Sequence, residues 1–242
     1  MSESVGVSLD PWNSRLPDHG PIYVETDLSR LIREPCNAIT AFLFVLIVGY
    51  FIWKMRGRFR DHPFVTICMP ILLAGGIGGT VYHALRRYQA MFYMDVIPIV
   101  LLVVMGSIYL WIRLRPKLWH VLILAAFVSA SPLPFLFIVR THVAIVVHYC
   151  MLATLVLVPI AIVMVRTGFR HIELVRLALV TFGFAILFRF LDPVSAPVLP
   201  GLGTHWLWHS FGAITTGLLA EYFFRLETMA IPRLSQPAKA LV

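Results

Sequence analysis

Long apolar runs separated by short polar stretches dominate the chain. Seven such runs, at approximately 38 to 53, 63 to 82, 91 to 112, 118 to 138, 143 to 165, 172 to 191 and 204 to 224, approach the length of about 20 residues that a helical membrane span needs. They predict an all-α integral membrane protein, a bundle of seven transmembrane helices joined by short loops. In the fourth run Ser129, Ser131, Pro132 and Pro134 interrupt the apolar pattern. Neighbouring helices can re-satisfy a backbone broken in this way, so the run still counts as a span. The division that follows is an extramembrane N-terminal segment (1–37), a transmembrane domain (38–225) and a tail (226–242). The first segment carries prolines, scattered acids and no apolar run, so no secretory signal peptide is expected and the first span itself directs insertion.

Composition agrees with the pattern: 59% of residues are hydrophobic, 13% are charged and the mean hydropathy is +0.83, outside the range of soluble domains. Basic residues then orient the bundle, because they accumulate on the cytoplasmic side. Lys54, Arg56, Arg58, Arg60, Arg113, Arg115, Lys117, Arg166, Arg170, Arg176, Arg225, Arg233 and Lys239 fall on one side of the predicted bundle. Arg15, Arg30, Arg33, Arg86, Arg87, Arg140 and Arg189 fall on the other. Thirteen against seven places the N-terminus outside and the C-terminus in the cytoplasm. A basic inner face beside anionic lipid accounts for the net charge of +8, and no nucleic acid is needed as a partner. Cys36, Cys68 and Cys150 stand singly, without the paired spacing of a zinc knuckle, haem attachment or redox couple. No nucleotide-binding fingerprint is present.

Candidate chemistry starts at the last run, where His205 and His209 stand four residues apart. On a helix that spacing stacks both imidazoles on one face, and ionisable groups inside a span are expensive enough to be read as functional. In the seven-span topology His83 closes span two, Asp95 opens span three and the pair opens span seven, all at the outer side. Three neutral imidazoles with an open fourth position form a standard catalytic zinc set, in which zinc brings the pKa of bound water to about 7. Asp95 would serve as general base. The competing readings are a helix cap or an ion pair with Arg86 or Arg87 for Asp95. His19, His62, His120, His142, His148 and His171 read as hydrogen-bonded interfacial residues.

Glu34-Pro35-Cys36-Asn37 before span one, a histidine closing span two, an aspartate opening span three and His-x-x-x-His opening span seven together resemble the alkaline ceramidases. These belong to a wider seven-span group that includes the adiponectin and progestin receptors. The resemblance implies a zinc amidohydrolase that cleaves ceramide into sphingosine and a fatty acid, with His83, His205 and His209 as zinc ligands and Asp95 as base. It also implies a serine four residues before the first zinc histidine, where this chain has Gly79; Thr80 is the nearest hydroxyl and the candidate substitute in oxyanion stabilisation. An N-terminal calcium site is implied as well, with Glu25, Asp27 and Glu34 as its candidate ligands, although the family's first aspartate and its cysteine are missing.

The expected partner is a lipid amide substrate entering from the bilayer. The expected location is the plasma (inner) membrane of a bacterium or the ER/Golgi of a eukaryote, with the site on the non-cytoplasmic side. Two other classes stay open: a receptor of the same seven-span group with structural zinc, and a metal transporter.

Overall fold

The computed structural model describes residue 16 and residues 18–115 and 117–232. Arg15, Arg233 and Lys239 of the orientation count lie outside the described residues, as do most of the predicted tail and the first part of the N-terminal segment. The described chain is all-helical, with no β-strand. Its helices are α1 (Pro35–Ala41), α2 (Leu43–Met55), α3 (Pro63–Leu85), α4 (Gln89–Leu114), α5 (Leu118–Ala130), α6 (Pro134–Phe137), α7 (Thr141–Arg166), α8 (Ile172–Leu191) and α9 (His205–Glu227).

Six helical segments are long and apolar enough to cross a membrane: Pro35–Met55, Pro63–Leu85, Gln89–Leu114, Leu118–Phe137, Thr141–Arg166 and Ile172–Val194. The fourth is broken at Ser131–Leu133, where the prolines end α5 and start α6. Helix α9 has 23 residues, enough length to cross, but is more polar than the six. Its charges are partnered inside the bundle. Glu221 pairs with Lys54 of α2, and Glu227 accepts the backbone N–H groups of Phe64 (2.7 Å) and Val65 (3.4 Å), capping α3.

Helix α9 packs against α1, α2, α3 and α8, while α3 packs against α4 and α4 against α7. One end of the bundle is closed by an apolar core that includes Phe51, Met55, Leu110, Val163 and Leu226. Between α3 and α4 the approach is close because glycines face it. A Cβ added at Gly78 would lie 2.7 Å from the backbone carbon of Met94, and small residues at such crossings are how membrane helices pack tightly. The described part of the N-terminal segment folds back onto the bundle, with Asp18, Tyr23, Glu25 and Glu34 all buried.

Candidate metal centre

The start of α9 is set by a carboxylate 13 residues before it. Asp192, fully buried, accepts the backbone N–H groups of Thr204 (2.8 Å) and His205 (2.9 Å) through one oxygen and that of Val24 (3.2 Å) through the other. Gly203 makes this possible: its φ is +63°, and a Cβ there would stand 2.4 Å from the Asp192 oxygen. The helix therefore starts with His205 and His209 one turn apart and both buried. His83 comes from the last turn of α3 and is fully buried. One nitrogen of each ring lies within 4.8 Å of the other two, and Nε2 of His83 is 3.0 Å from Nε2 of His209. Three histidines from two helices thus form a buried set that can hold a metal ion.

Glu34 stands behind His83. One oxygen lies 2.5 Å from His83 Nδ1, and the other accepts hydrogen bonds from Arg86 and from Thr26 Oγ1. A carboxylate on the far nitrogen of a ligating histidine fixes its tautomer and raises its basicity, the usual outer support of a metal site. Arg86 reaches Glu34 because its backbone is left-handed (φ +43°), which turns the chain at the end of α3. Its guanidinium is ringed by oxygens, from Asp18 Oδ2 (2.9 Å) and Oδ1 (3.3 Å), the Pro21 carbonyl (2.9 Å), Thr26 and Glu34.

The three calcium candidates are each engaged by other partners in this arrangement. Glu25 accepts the backbone N–H groups of Cys36 (2.6 Å) and Asn37 (2.9 Å) at the start of α1. Burial raises its pKa against those hydrogen bonds, which lower it. Asp27 is partly exposed, accepts from Ser29 Oγ (2.6 Å) and N (3.0 Å) and pairs with Arg30 (2.9 Å), and the Ser29 hydrogen bonds hold its carboxyl low. Glu34 is spent on His83 and Arg86. Three acids in three different roles form no oxygen cage, and among the described residues the histidine trio is the only group with metal-ligand spacing.

His205 is supported differently. Arg189 Nη1 donates to its Nδ1 at 3.1 Å, and the Tyr23 ring stacks on it, with centroids 3.7 Å apart and planes 14° from parallel. Arginine only donates, so the neutral ring carries its proton on Nε2. An ion bound at Nδ1 takes the arginine's place, and one bound at Nε2 moves the proton to Nδ1. Metal loading and the Arg189–His205 hydrogen bond therefore exclude one another.

A cavity of 520 Å³ opens from this cluster, with Asp95, His209, Arg189, Tyr23, Tyr149 and Trp208 at one end and residues such as Met69, Leu102, Val156 and Phe223 along its length. On α9 its lining runs from Trp208 to Phe223, about 22 Å at 1.5 Å per residue. Asp95 makes no hydrogen bond among the described residues and retains partial exposure toward this space. Gly79 lets it sit there, since a Cβ at 79 would stand 2.5 Å from Asp95 Oδ1. Thr80 is not brought to the cavity. Its hydroxyl donates to the Gly76 carbonyl one turn back (2.7 Å), and it is absent from the lining. The structure thus clusters His83, His205 and His209, brings His209 and Asp95 to one cavity and adds Tyr23, Arg189, Glu34, Arg86 and Asp192, of which the sequence patterns pointed to Glu34 and Arg86 alone, in other roles.

Compared with known proteins, the chain matches no protein-family model, and no curated protein is similar enough to count as a match. Function has to be argued from the geometry.

Proposed function

We propose that this chain is a seven-span membrane hydrolase of alkaline-ceramidase type, using zinc held by His83, His205 and His209 to cleave a lipid amide. The observation that carries this reading is a buried histidine trio of which one member, His209, lines the same end of a long apolar cavity as Asp95. Such a cavity offers affinity for an acyl chain, and the few polar groups at its end offer orientation.

When bound, the ion supplies Lewis acidity and a water that loses its proton near neutral pH. The protein's residues do the rest. Glu34 holds the His83 ring by its Nδ1–H, so that Nε2 is free to ligate. Asp95, with no competing hydrogen bond among the described residues, takes the proton of the attacking water as the new C–O bond forms. It returns that proton to the nitrogen as the C–N bond breaks, leaving a free fatty acid and an amine.

Tyr23 takes over the oxyanion role expected of Thr80. It lines the cavity beside the cluster, and burial pushes its phenol up to about 12, so it remains a donor throughout the physiological range. In this reading α9 is the seventh span, its polar groups facing inward, and the basic-residue count puts the site on the non-cytoplasmic side.

The test is metal analysis and amide hydrolysis on purified protein. About one zinc per chain is expected; His209→Ala loses both metal and turnover, and Asp95→Asn keeps the metal while turnover falls by about 10²- to 10⁴-fold. An active preparation free of metal sinks the proposal, and unchanged turnover in Asp95→Asn excludes that residue as the base. A metal-loaded protein that hydrolyses no lipid amide favours the receptor reading instead.

A further inference from the structure

The two buried arginines near the histidines are treated in opposite ways. Arg86 has the carboxylates of Asp18 and Glu34 and the carbonyl of Pro21 against it. Arg189, in the last turn of α8, is 5% exposed and has no carboxylate within ion-pair distance among the described residues, the nearby charge of Asp95 acting on it without contact. Its guanidinium carbon lies 5.3 Å, 5.7 Å and 5.8 Å from the ring centroids of Trp208, Tyr23 and Tyr149. Its Nη1 meets His205, and its Nε is buried with no hydrogen-bond partner. Aromatic faces attract a cation without accepting the planar pair of hydrogen bonds that a guanidinium offers. The side chain lines the cavity, so a ligand there can supply what the protein does not.

A carboxylate is the group that fits such a fork, and the position of Arg189 says where on a ligand it must be. Nη1 is 3.1 Å from a nitrogen of His205, so an anion on Arg189 lies beside the reacting amide rather than down the cavity. The other end, lined by residues such as Met69, Leu72, Val156, Leu219 and Phe223, takes the acyl chain. The charge therefore belongs to the amine half of the amide. In an N-acyl amino acid the carboxylate carbon is three bonds from the amide carbonyl carbon and so lies within about 4 Å of it, the reach of three bonds between successive Cα atoms.

Resting on the hydrolase reading above, we propose that the substrate is a long-chain N-acyl amino acid whose carboxylate pairs with Arg189, and that cleavage releases the amino acid and the fatty acid.

The test compares N-palmitoylglycine with N-palmitoylethanolamine, a neutral amide of matching length, and with a ceramide of the same acyl chain, on the full-length metal-loaded protein. The acylglycine is expected to be preferred in kcat/KM on the order of 100-fold, chiefly through KM, the worth of one buried charge-assisted hydrogen bond. In Arg189→Gln the ratio between acylglycine and ethanolamide is expected to fall to near one. Equal or better use of either neutral amide by the unaltered protein overturns the inference and leaves the hydrolase reading intact, whether or not Arg189→Gln folds. Hydrolysis of none of the three overturns the hydrolase reading and this inference together.

Discussion

Replacing Glu34 by Gln separates the metal site from the fold that surrounds it. The substitution conserves shape but removes the charge that faces His83 Nδ1 at 2.5 Å and Arg86 on its other side. Two losses follow. Breaking a buried ion pair by neutralising one partner costs about 3–5 kcal/mol. Loss of the carboxylate behind a ligating histidine lowers metal affinity by about 10- to 100-fold, equivalent to about 1.4–2.7 kcal/mol. Asp18→Asn supplies the control, because Asp18 holds the same guanidinium (2.9 Å) and makes no hydrogen bond to the histidine trio. Zinc affinity is measured at fixed pH by competition with a chelator, and stability by thermal unfolding of the metal-free protein. Both variants should unfold at lower temperature, and only Glu34→Gln should bind zinc more weakly. Full zinc affinity in Glu34→Gln, or an equal loss in Asp18→Asn, refutes the support role of Glu34.

Gly79→Ala places a Cβ 2.5 Å from Asp95 Oδ1 and pushes the carboxylate aside; zinc should stay bound while kcat falls by about 10²-fold, and an unchanged kcat would show that the position of Asp95 is immaterial. Tyr23 has its pKa raised from 10.0 to about 12, chiefly by burial. Its contribution to stability is complete below pH 10 and declines by about 2–3 kcal/mol as pH rises through 12, because the unfolded chain ionises first. Unfolding measured between pH 10 and 12 should accordingly show a shallower decline in Tyr23→Phe than in the unaltered protein. A reporter fused after Val242 should read cytoplasmic; an external signal reverses the orientation and returns the receptor reading.

His83, His205, His209 and Asp95 were legible in the sequence because each is a rare polar residue at the end of an apolar run, and the topology gave the runs a common depth. The helical segments were legible for the same reason, down to the break at Ser131–Leu133. Glu34 stands out in the sequence, but its contacts with His83 and Arg86 do not. No local pattern announces the left-handed turn at Arg86, and without that turn the guanidinium does not reach Glu34 and Asp18. Thr80 was placed by a helical-face argument that left out the hydroxyl's own preference for the carbonyl one turn back. Arg189 was counted as an ordinary basic residue near a span end, although its position within an apolar run was the signal of a functional charge. Asp192 and Tyr23 act through contacts far apart in sequence, which periodicity does not encode.

The hydrogen bond from Val24 to Asp192 joins residues 168 positions apart, and Tyr23 rests on His205 at the start of the last helix. These contacts give the N-terminal segment a timetable during synthesis. Part of its seat is made early, since Arg86 at the end of α3 holds Asp18 and Pro21, but the contacts that close it over the histidines wait for Asp192 and α9. Two of the three histidines that could hold a metal ion arrive with that same helix, so the candidate site is complete only late in synthesis. A chain stopped before His205 has most of its apolar mass but lacks two of the three clustered histidines and the ring on which Tyr23 rests.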